Sequence, residues 1–193
     1  MKIMFGEKME YDLVKELENY TPADDMEKED VNKILKFLAT NDNCYSRTNL
    51  KGHITVGAVI MYEDGELLIN FHKKLKKWLF FGGHSENEKN PLDTAKREVK
   101  EECGITEYDD LGGKILEVSA HIIPKDPKKN EPEHYHYNIN YIFIVKKKDF
   151  NISEESTDIR WVNIEEARQL MTFYNKNRIL DKASEIYKSR ILK

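Results

Sequence analysis

The sequence predicts an α/β fold with an N-terminal helical extension. Two observations carry this prediction. Residues 1–50 repeat apolar side chains at helical spacing, whereas from Ile54 the texture turns β-branched and aromatic. In the middle of the chain a strand-like WLFF runs through Gly82-Gly83 and a polar loop into a helix, giving a strand-loop-helix unit. A chain of 193 residues buries one substantial core with an appendage and is short for two independent domains.

The elements follow in order. Thr21 is the expected N-cap of a first clear helix, with Pro22 at its first position and Asp24 and Asp25 in the favourable first turn. Val31, Ile34, Leu35 and Leu38 then form a helical stripe suited to core packing. ITVGAVIMY and LLINF flank Glu63-Asp64-Gly65-Glu66 and read as a hairpin. Pro91 opens a helix that runs to about Cys103 and stops at Gly104. A strand is expected at Ile115–Ile123. A second follows in YHYNINYIFIV, where Tyr135, Tyr137, Ile139, Tyr141, Phe143 and Val145 alternate onto one face and His136, Asn138 and Asn140 onto the other. PKDPKKNEPE between them is turn-rich and a candidate lid or specificity loop. Ile159–Val162 reads as a short closing strand, and the chain from Ile164 onward as helical.

Composition excludes several function classes. A formal net charge of -4 gives no global attraction to nucleic acid, so no polynucleotide partner is expected. Cys44 and Cys103 lie far apart without metal-type spacing, which argues against a disulfide framework or zinc finger and for a reducing, cytoplasmic compartment. The amino terminus turns acidic before an apolar run develops, and no stretch reaches ~18 apolar residues, so neither export nor a membrane anchor is expected.

The chemistry is concentrated in one helix. Glu98, Glu101 and Glu102 stand at i, i+3 and i+4 and share a face, while Leu92, Ala95, Val99 and Cys103 form the adjacent packing stripe. Clustered carboxylates repel one another, and a hard cation offsets that cost; magnesium prefers carboxylate and carbonyl oxygens and is commonly shared with substrate phosphates. Arg97 adds a guanidinium fork able to orient a neighbouring carboxylate.

GGHSENEKNPLDTAKREVKEECGI resembles the Nudix box, G-x5-E-x7-R-E-U-x-E-E-x-G-U, with U aliphatic. Gly83 stands at the first Gly, Arg97-Glu98 at the RE pair, Val99 at the first aliphatic, Glu101-Glu102 at the EE pair and Gly104-Ile105 at the end. The box Glu before the x7 spacer falls instead at Lys89, with Glu88 one residue early; Glu88 or Glu86 can take its place after a small loop shift. The resemblance runs from about Gly52 to Glu166. It implies an α/β/α sandwich around a mixed β-sheet, with residues 1–50 an extension and 51–193 the Nudix domain including the C-terminal helices. By position it implies that the Gly82 carbonyl, Glu98 and Glu102 contact a metal, Mg2+ or alternatively Mn2+. Glu101 is a further ligand or base, and Glu155, followed by Glu154, is the acid supplied from a distant loop. Phe81 stands where many members have Pro.

The activity so implied is magnesium-dependent hydrolysis of a diphosphate linkage in a nucleoside diphosphate linked to another group. The partner would be a small nucleotide-type substrate, and a homodimer is compatible with the sequence. The alternative, motivated by Lys89, is a catalytically weak nucleotide-binding sensor or regulator. An isomerase on the same fold would need a Cys near the site entrance, which neither Cys103 nor Cys44 supplies. Three other features read as ordinary. His53, His84, His121, His134 and His136 invite a second-metal reading, because His134 and His136 share a face that His121 can meet across the hairpin, but without a familiar zinc spacing the metal is the minor alternative to substrate-contacting, surface or core histidines. Lys73, Lys74, Lys76 and Lys77 suit a soluble sheet edge, and Tyr135, Tyr137 and Tyr141 suit core packing.

Overall fold

The alternation of apolar residues read from the sequence becomes a sheet covered on both faces. The computed structural model describes residues 11–127 and 130–192. Its helices are α1 (Leu13–Glu18), α2 (Asp25–Thr40), α3 (Pro91–Cys103), α4 (Ile164–Leu170) and α5 (Lys176–Ile191). Its strands are β1 (Gly52–Tyr62), β2 (Leu67–His72), β3 (Lys77–Leu79), β4 (Glu117–Ile123), β5 (His134–Val145) and β6 (Ser156–Val162). They form a 6-stranded sheet in the order β3-β2-β1-β5-β4, with β6 joined to β2. Only β1 and β5 pair in parallel, in register from Gly52↔Tyr135 to Tyr62↔Val145; β1–β2, β2–β3, β2–β6 and β4–β5 are antiparallel. The sheet is therefore mixed, and its helices lie on both faces.

One face of the sheet packs under α1, α2 and α3. Ile54, Val56 and Ala58 of β1, Tyr137, Ile139, Tyr141 and Phe143 of β5, and Ala95, Val99 and Cys103 of α3 share this core with Leu13, Leu17, Ile34 and Phe37 of the first two helices. The tyrosines are core residues, as their alternation predicts; Phe37 stacks on Tyr137 at 4.3 Å between ring centroids. The opposite face is apolar only at one end, where Val59, Met61, Ile142 and Ile144 meet Ala167 of α4 and Ile179, Leu180 and Ala183 of α5. Toward the beginning of β1 and β5 the same face turns polar, with His53 and Thr55 beside His136 and Asn138. The helices cover the apolar half, and the polar half is left to form a cleft.

Helix boundaries differ from expectation in two places: the run read as helical from Ile164 onward is broken between Leu170 and Lys176 into α4 and α5, and the second helix starts later than expected. The second helix begins at Asp25 with Asp24 as N-cap, its carboxylate accepting from the Glu27 amide at 2.7 Å, rather than at Pro22 behind Thr21. Glu27 folds back to accept from the Ala23 amide at 2.6 Å and also binds Lys182 of α5, so this start is held by tertiary contacts. β4 begins at Glu117, two residues after Ile115. The helix at Pro91–Cys103 appears as predicted, with Asn90 as N-cap and Gly104 closing it at φ 73°.

A buried ionic network ties the two ends of the chain to the sheet. Glu117, fully buried in β4, accepts from Arg178 Nε of α5 at 2.9 Å, Asn175 at 2.9 Å and Asn140 at 2.6 Å. Arg178 also reaches Asp24 at 3.2 Å. Such a network rigidifies when complete and is costly when one partner is removed.

Candidate active site

The site is built where β1 changes partners. Its second half pairs with β2 through Ile60↔Leu68 and Met61↔Leu67, while its first half receives the segment Phe81–His84 through the bridges Ala58↔Phe81 and Thr55↔His84. The Ala58 amide donates to the Phe81 carbonyl at 2.8 Å and the Val56 amide to the Gly83 carbonyl at 2.9 Å. The carbonyl of Gly82, between them, takes no part in this pairing. Gly82 stands at φ 140°, and a Cβ there would meet the Val56 carbonyl oxygen at 2.1 Å, so only glycine lets the chain lie this close to β1.

The glycine pair faces the carboxylates of α3. The Gly82 amide donates to Glu102 Oε2 at 2.8 Å. A Cβ on Gly83 would sit 2.5 Å from Glu98 Oε1. Glu102 is 9% exposed, and burial, aided by the charges of Glu98, Glu155 and Glu101, pushes its carboxyl up to about 8 despite the Gly82 hydrogen bond. Burial also raises Glu98, although Arg97 opposes the shift. A fourfold bonding pattern fixes Arg97: it donates to Glu88 at 3.2 Å, Glu98 at 2.8 Å, Glu101 at 3.0 Å and the His84 carbonyl at 2.9 Å. Burial works against its charge, but these acids hold the guanidinium above its usual range.

Beside the departure at Lys89, Glu88 is the acid of this loop that bonds Arg97. Glu86 and Asn87 both adopt positive φ, at 48° and 73°, and the Glu88 amide closes a turn onto the Ser85 carbonyl at 2.7 Å. This turn brings Glu88, rather than residue 89, onto Arg97. The other predicted site residues are spread as follows. Glu98 and Glu102 lie against the Gly82–Gly83 turn; Glu101 is 59% exposed and held by Arg97. Glu155, in the loop before β6, lines the same cleft as Glu102.

Three carboxylates, one of them buried with its charge disfavoured, beside a backbone carbonyl form a hard oxygen donor set, and Gly83 leaves the space that keeps Glu98 in it. This arrangement fits a small hard divalent cation. The adjoining cleft has a volume of about 1170 Å³. Its walls include Gly82, Glu102 and Glu155 at one end and Arg47, His53 and His136 at the other. The loop between β4 and β5 contributes Asp126, Glu131 and Pro132 to its rim, and Lys74 reaches it from the β2–β3 turn. Residues 128 and 129 of that loop lie outside the described residues.

Sequence reading underestimated the histidines. His53 and His136 are paired neighbours on β1 and β5, His121 faces His136 from β4, and the Thr55↔His84 bridge brings in His84. Their rings stand 4.8–5.7 Å apart, His53–His136 at 4.8 Å, His53–His84 at 5.0 Å and His121–His136 at 5.7 Å. Burial lowers His84 to about 4 and His136 to about 2, so both imidazoles are neutral at ordinary pH. The hairpin spacing of His121, His134 and His136 was a usable signal; the parallel pairing that adds His53 was not.

Among the described residues no helix is long and apolar enough to cross a membrane. The family model for the NUDIX domain matches residues 51–182. The chain is 29% identical over 147 residues, 76% of this chain and 86% of the relative, to a protein of Lactococcus lactis subsp. cremoris named probable DHNTP pyrophosphohydrolase. Among solved structures it resembles a NUDIX-family hydrolase from Clostridium perfringens at 29% identity and TM-score 0.50, covering 73% of this chain and 98% of that one. It also shares the fold of a C. elegans Ap4A hydrolase at 17% identity and TM-score 0.57, covering 70% and 98%. With the Gly-Gly turn, the carboxylate helix and the mixed sheet in place, the chain belongs to the NUDIX domain family and is a Nudix hydrolase.

Proposed function

We propose that this chain hydrolyses a diphosphate linkage in a nucleoside diphosphate bound to another group, with Mg2+, or Mn2+, held by the Gly82 carbonyl, Glu98, Glu101 and Glu102. The observation that carries this reading is the burial of the Glu98 and Glu102 carboxylates against the Gly82–Gly83 turn beside the cleft. When bound, the cation neutralises diphosphate charge and polarises the P–O bond. The protein's own groups do the rest. Arg97 fixes Glu98 and Glu101 through its bonds to each. The Gly82 amide occupies Glu102 Oε2, and Glu102 lines the cleft. Glu101, the most exposed of the three carboxylates and held by Arg97, is the further ligand or the base that takes a proton from attacking water. Glu155, across the cleft, supplies the distal acid. Residues 51–193 form the catalytic unit and 1–50 an extension, of which the described part, from Tyr11, packs onto the core. The two buried free cysteines are consistent with a reducing, cytoplasmic setting.

The relative's name adds a pterin triphosphate to the substrates worth testing. The test is turnover of nucleotide sugars, dinucleotides, ADP-ribose, nucleoside triphosphates and dihydroneopterin triphosphate with Mg2+. Phosphate-containing products from at least one class are expected, and Glu102→Gln should lower that rate by about 100-fold or more while the fold persists. Binding of these ligands with no cleavage of any would replace the hydrolase reading with that of a nucleotide sensor.

A further inference from the structure

The cleft has a second end whose chemistry the diphosphate reaction does not use. His53 is 3% exposed, and both of its ring nitrogens are buried without a well-formed hydrogen bond among the described residues, although the Asn49 backbone stands near enough to favour its charged form. A neutral imidazole carries one donor and one acceptor, and leaving such groups unpaired in the interior costs about 1–3 kcal/mol each. The rings around it are imidazoles. One nitrogen from each of His53, His84 and His136 lies within 4.8 Å of the others. His134 adds a fourth ring, its Nε2 standing 3.3 Å from His136 Nε2.

Tautomers can be assigned from the partners. His134 Nδ1 faces the Pro132 carbonyl at 2.8 Å, and a carbonyl only accepts, so Nδ1 carries the proton and Nε2 presents a lone pair. An imidazole whose far nitrogen donates to a backbone carbonyl is the usual arrangement of a metal-bound histidine. His136 Nε2 then donates to that lone pair at 3.3 Å, so His134 holds the His136 ring with its other nitrogen free to bind. The trio stands within 4.8 Å, wider than the roughly 3.3 Å edge of a tetrahedron with metal–nitrogen bonds of about 2.0–2.1 Å, so binding requires the rings to close on the ion. Charge at the rim is balanced, because Arg47 pairs with Glu131 at 3.3 Å.

We propose that His53, His84 and His136, supported by His134, form a second metal site that takes a zinc-class divalent cation, distinct in place and ligand chemistry from the carboxylate site. Imidazole donors select Zn2+, Co2+, Ni2+ or Cu2+, whereas Mg2+ seeks the hard oxygens at the other end. Three protein nitrogens leave a fourth position toward the cleft, where a donor atom of the ligand beyond the scissile diphosphate can bind. The inference stands on the imidazole geometry and does not depend on the proposed reaction.

The test is metal binding by the full chain. Protein stripped with a chelator is loaded with Zn2+ or Co2+ in excess Mg2+, desalted, and assayed by elemental analysis and, for Co2+, by visible absorption. One retained ion per chain with a tetrahedral Co2+ spectrum is expected, kept in Glu98→Gln/Glu102→Gln. Affinity should fall by about 100-fold or more in His136→Gln and His53→Gln, given that even outer-sphere partners are worth 10–100-fold. His84→Gln and His136→Gln, at half-buried positions, serve where the buried His53→Gln does not fold. No retained ion, retention undiminished in the His variants, or loss in the carboxylate variant would each overturn the proposal.

Discussion

Alanine at the two adjacent glycines should break different things. At Gly83 the new methyl would lie 2.5 Å from Glu98 Oε1, 2.7 Å from its Cδ and 2.9 Å from Oε2. Ordinary contact begins near 3.5 Å, so the carboxylate must withdraw by about 1 Å. The obstacle is the mobile end of a side chain, and the added methyl also restricts the unfolded chain by about 0.4–1 kcal/mol, so stability should barely change. Misplacing a catalytic group by that distance costs roughly 100-fold, or about 2.7 kcal/mol of barrier. Gly82 is the reverse case. Its φ of 140° and the 2.1 Å approach to the Val56 carbonyl confront a methyl with rigid backbone. A penalty of about 3 kcal/mol or more, at ~2–4 °C per kcal/mol for a chain of this size, lowers Tm by on the order of 10 °C. Steady-state kcat and thermal melts of both variants make the comparison. If Gly83→Ala retained kcat within about threefold of the wild type, or melted as low as Gly82→Ala, the placement of Glu98 against the glycine turn would be wrong.

Three further outcomes follow from particular contacts. Glu88→Gln should lower turnover by about threefold through a looser Arg97, whereas Lys89→Glu should change it by less than about twofold; a large gain in Lys89→Glu would mean that Glu88 does not fill the missing box position. Arg178→Met strands the buried Glu117 carboxylate, which should cost about 3–5 kcal/mol. At ~2–4 °C per kcal/mol that is a fall in Tm of roughly 6–20 °C, with kcat preserved at permissive temperature, and an unchanged melt would contradict the network. Burial holds the folded-state values of His84 and His136 below their unfolded value of about 6.5. Their contribution to stability is thus complete above about pH 6.5 and is lost as pH falls toward 4, because the unfolded chain then takes up protons that the folded one refuses. Two such protons give a slope of up to about 2.7 kcal/mol per pH unit, and urea midpoints that stayed level between about pH 7.5 and 5 would show these rings to be freely solvated.

What was legible in the sequence was whatever chain-local geometry dictates. The i, i+3, i+4 spacing put Glu98, Glu101 and Glu102 on one face; Pro91 and Gly104 bounded their helix; the two-residue alternation of β5 separated its core tyrosines from His136 and Asn138. The hairpin also brought His121 opposite His136. The misses share a different cause. Asp24 prevails over Thr21 as N-cap because Glu27 is held from α5, and Arg178 holds Asp24 itself, more than 150 residues away in sequence. Glu88 reaches Arg97 through a turn in which Glu86 and Asn87 both adopt positive φ, a conformation that Glu86 does not announce by type.

The histidines show the same limit and its consequence for function. A parallel pairing has no turn to set its register, so nothing local predicted that His53 of β1 would stand beside His136 of β5. That register also brings Thr55 beside Asn138, and the bridge from Thr55 to His84 then joins the imidazole cluster to the Gly82–Gly83 turn within two residues of chain. A one-residue slip of β5 against β1 would reverse every side chain, turning His136 and Asn138 into the core and its tyrosines out toward the cleft. The buried alternate residues Tyr137, Ile139, Tyr141 and Phe143 forbid that slip. The apolar face under α2 and α3 therefore fixes the position of the polar groups on the opposite face. Packing on the side away from the cleft sets the spacing between its imidazole end and its carboxylate end.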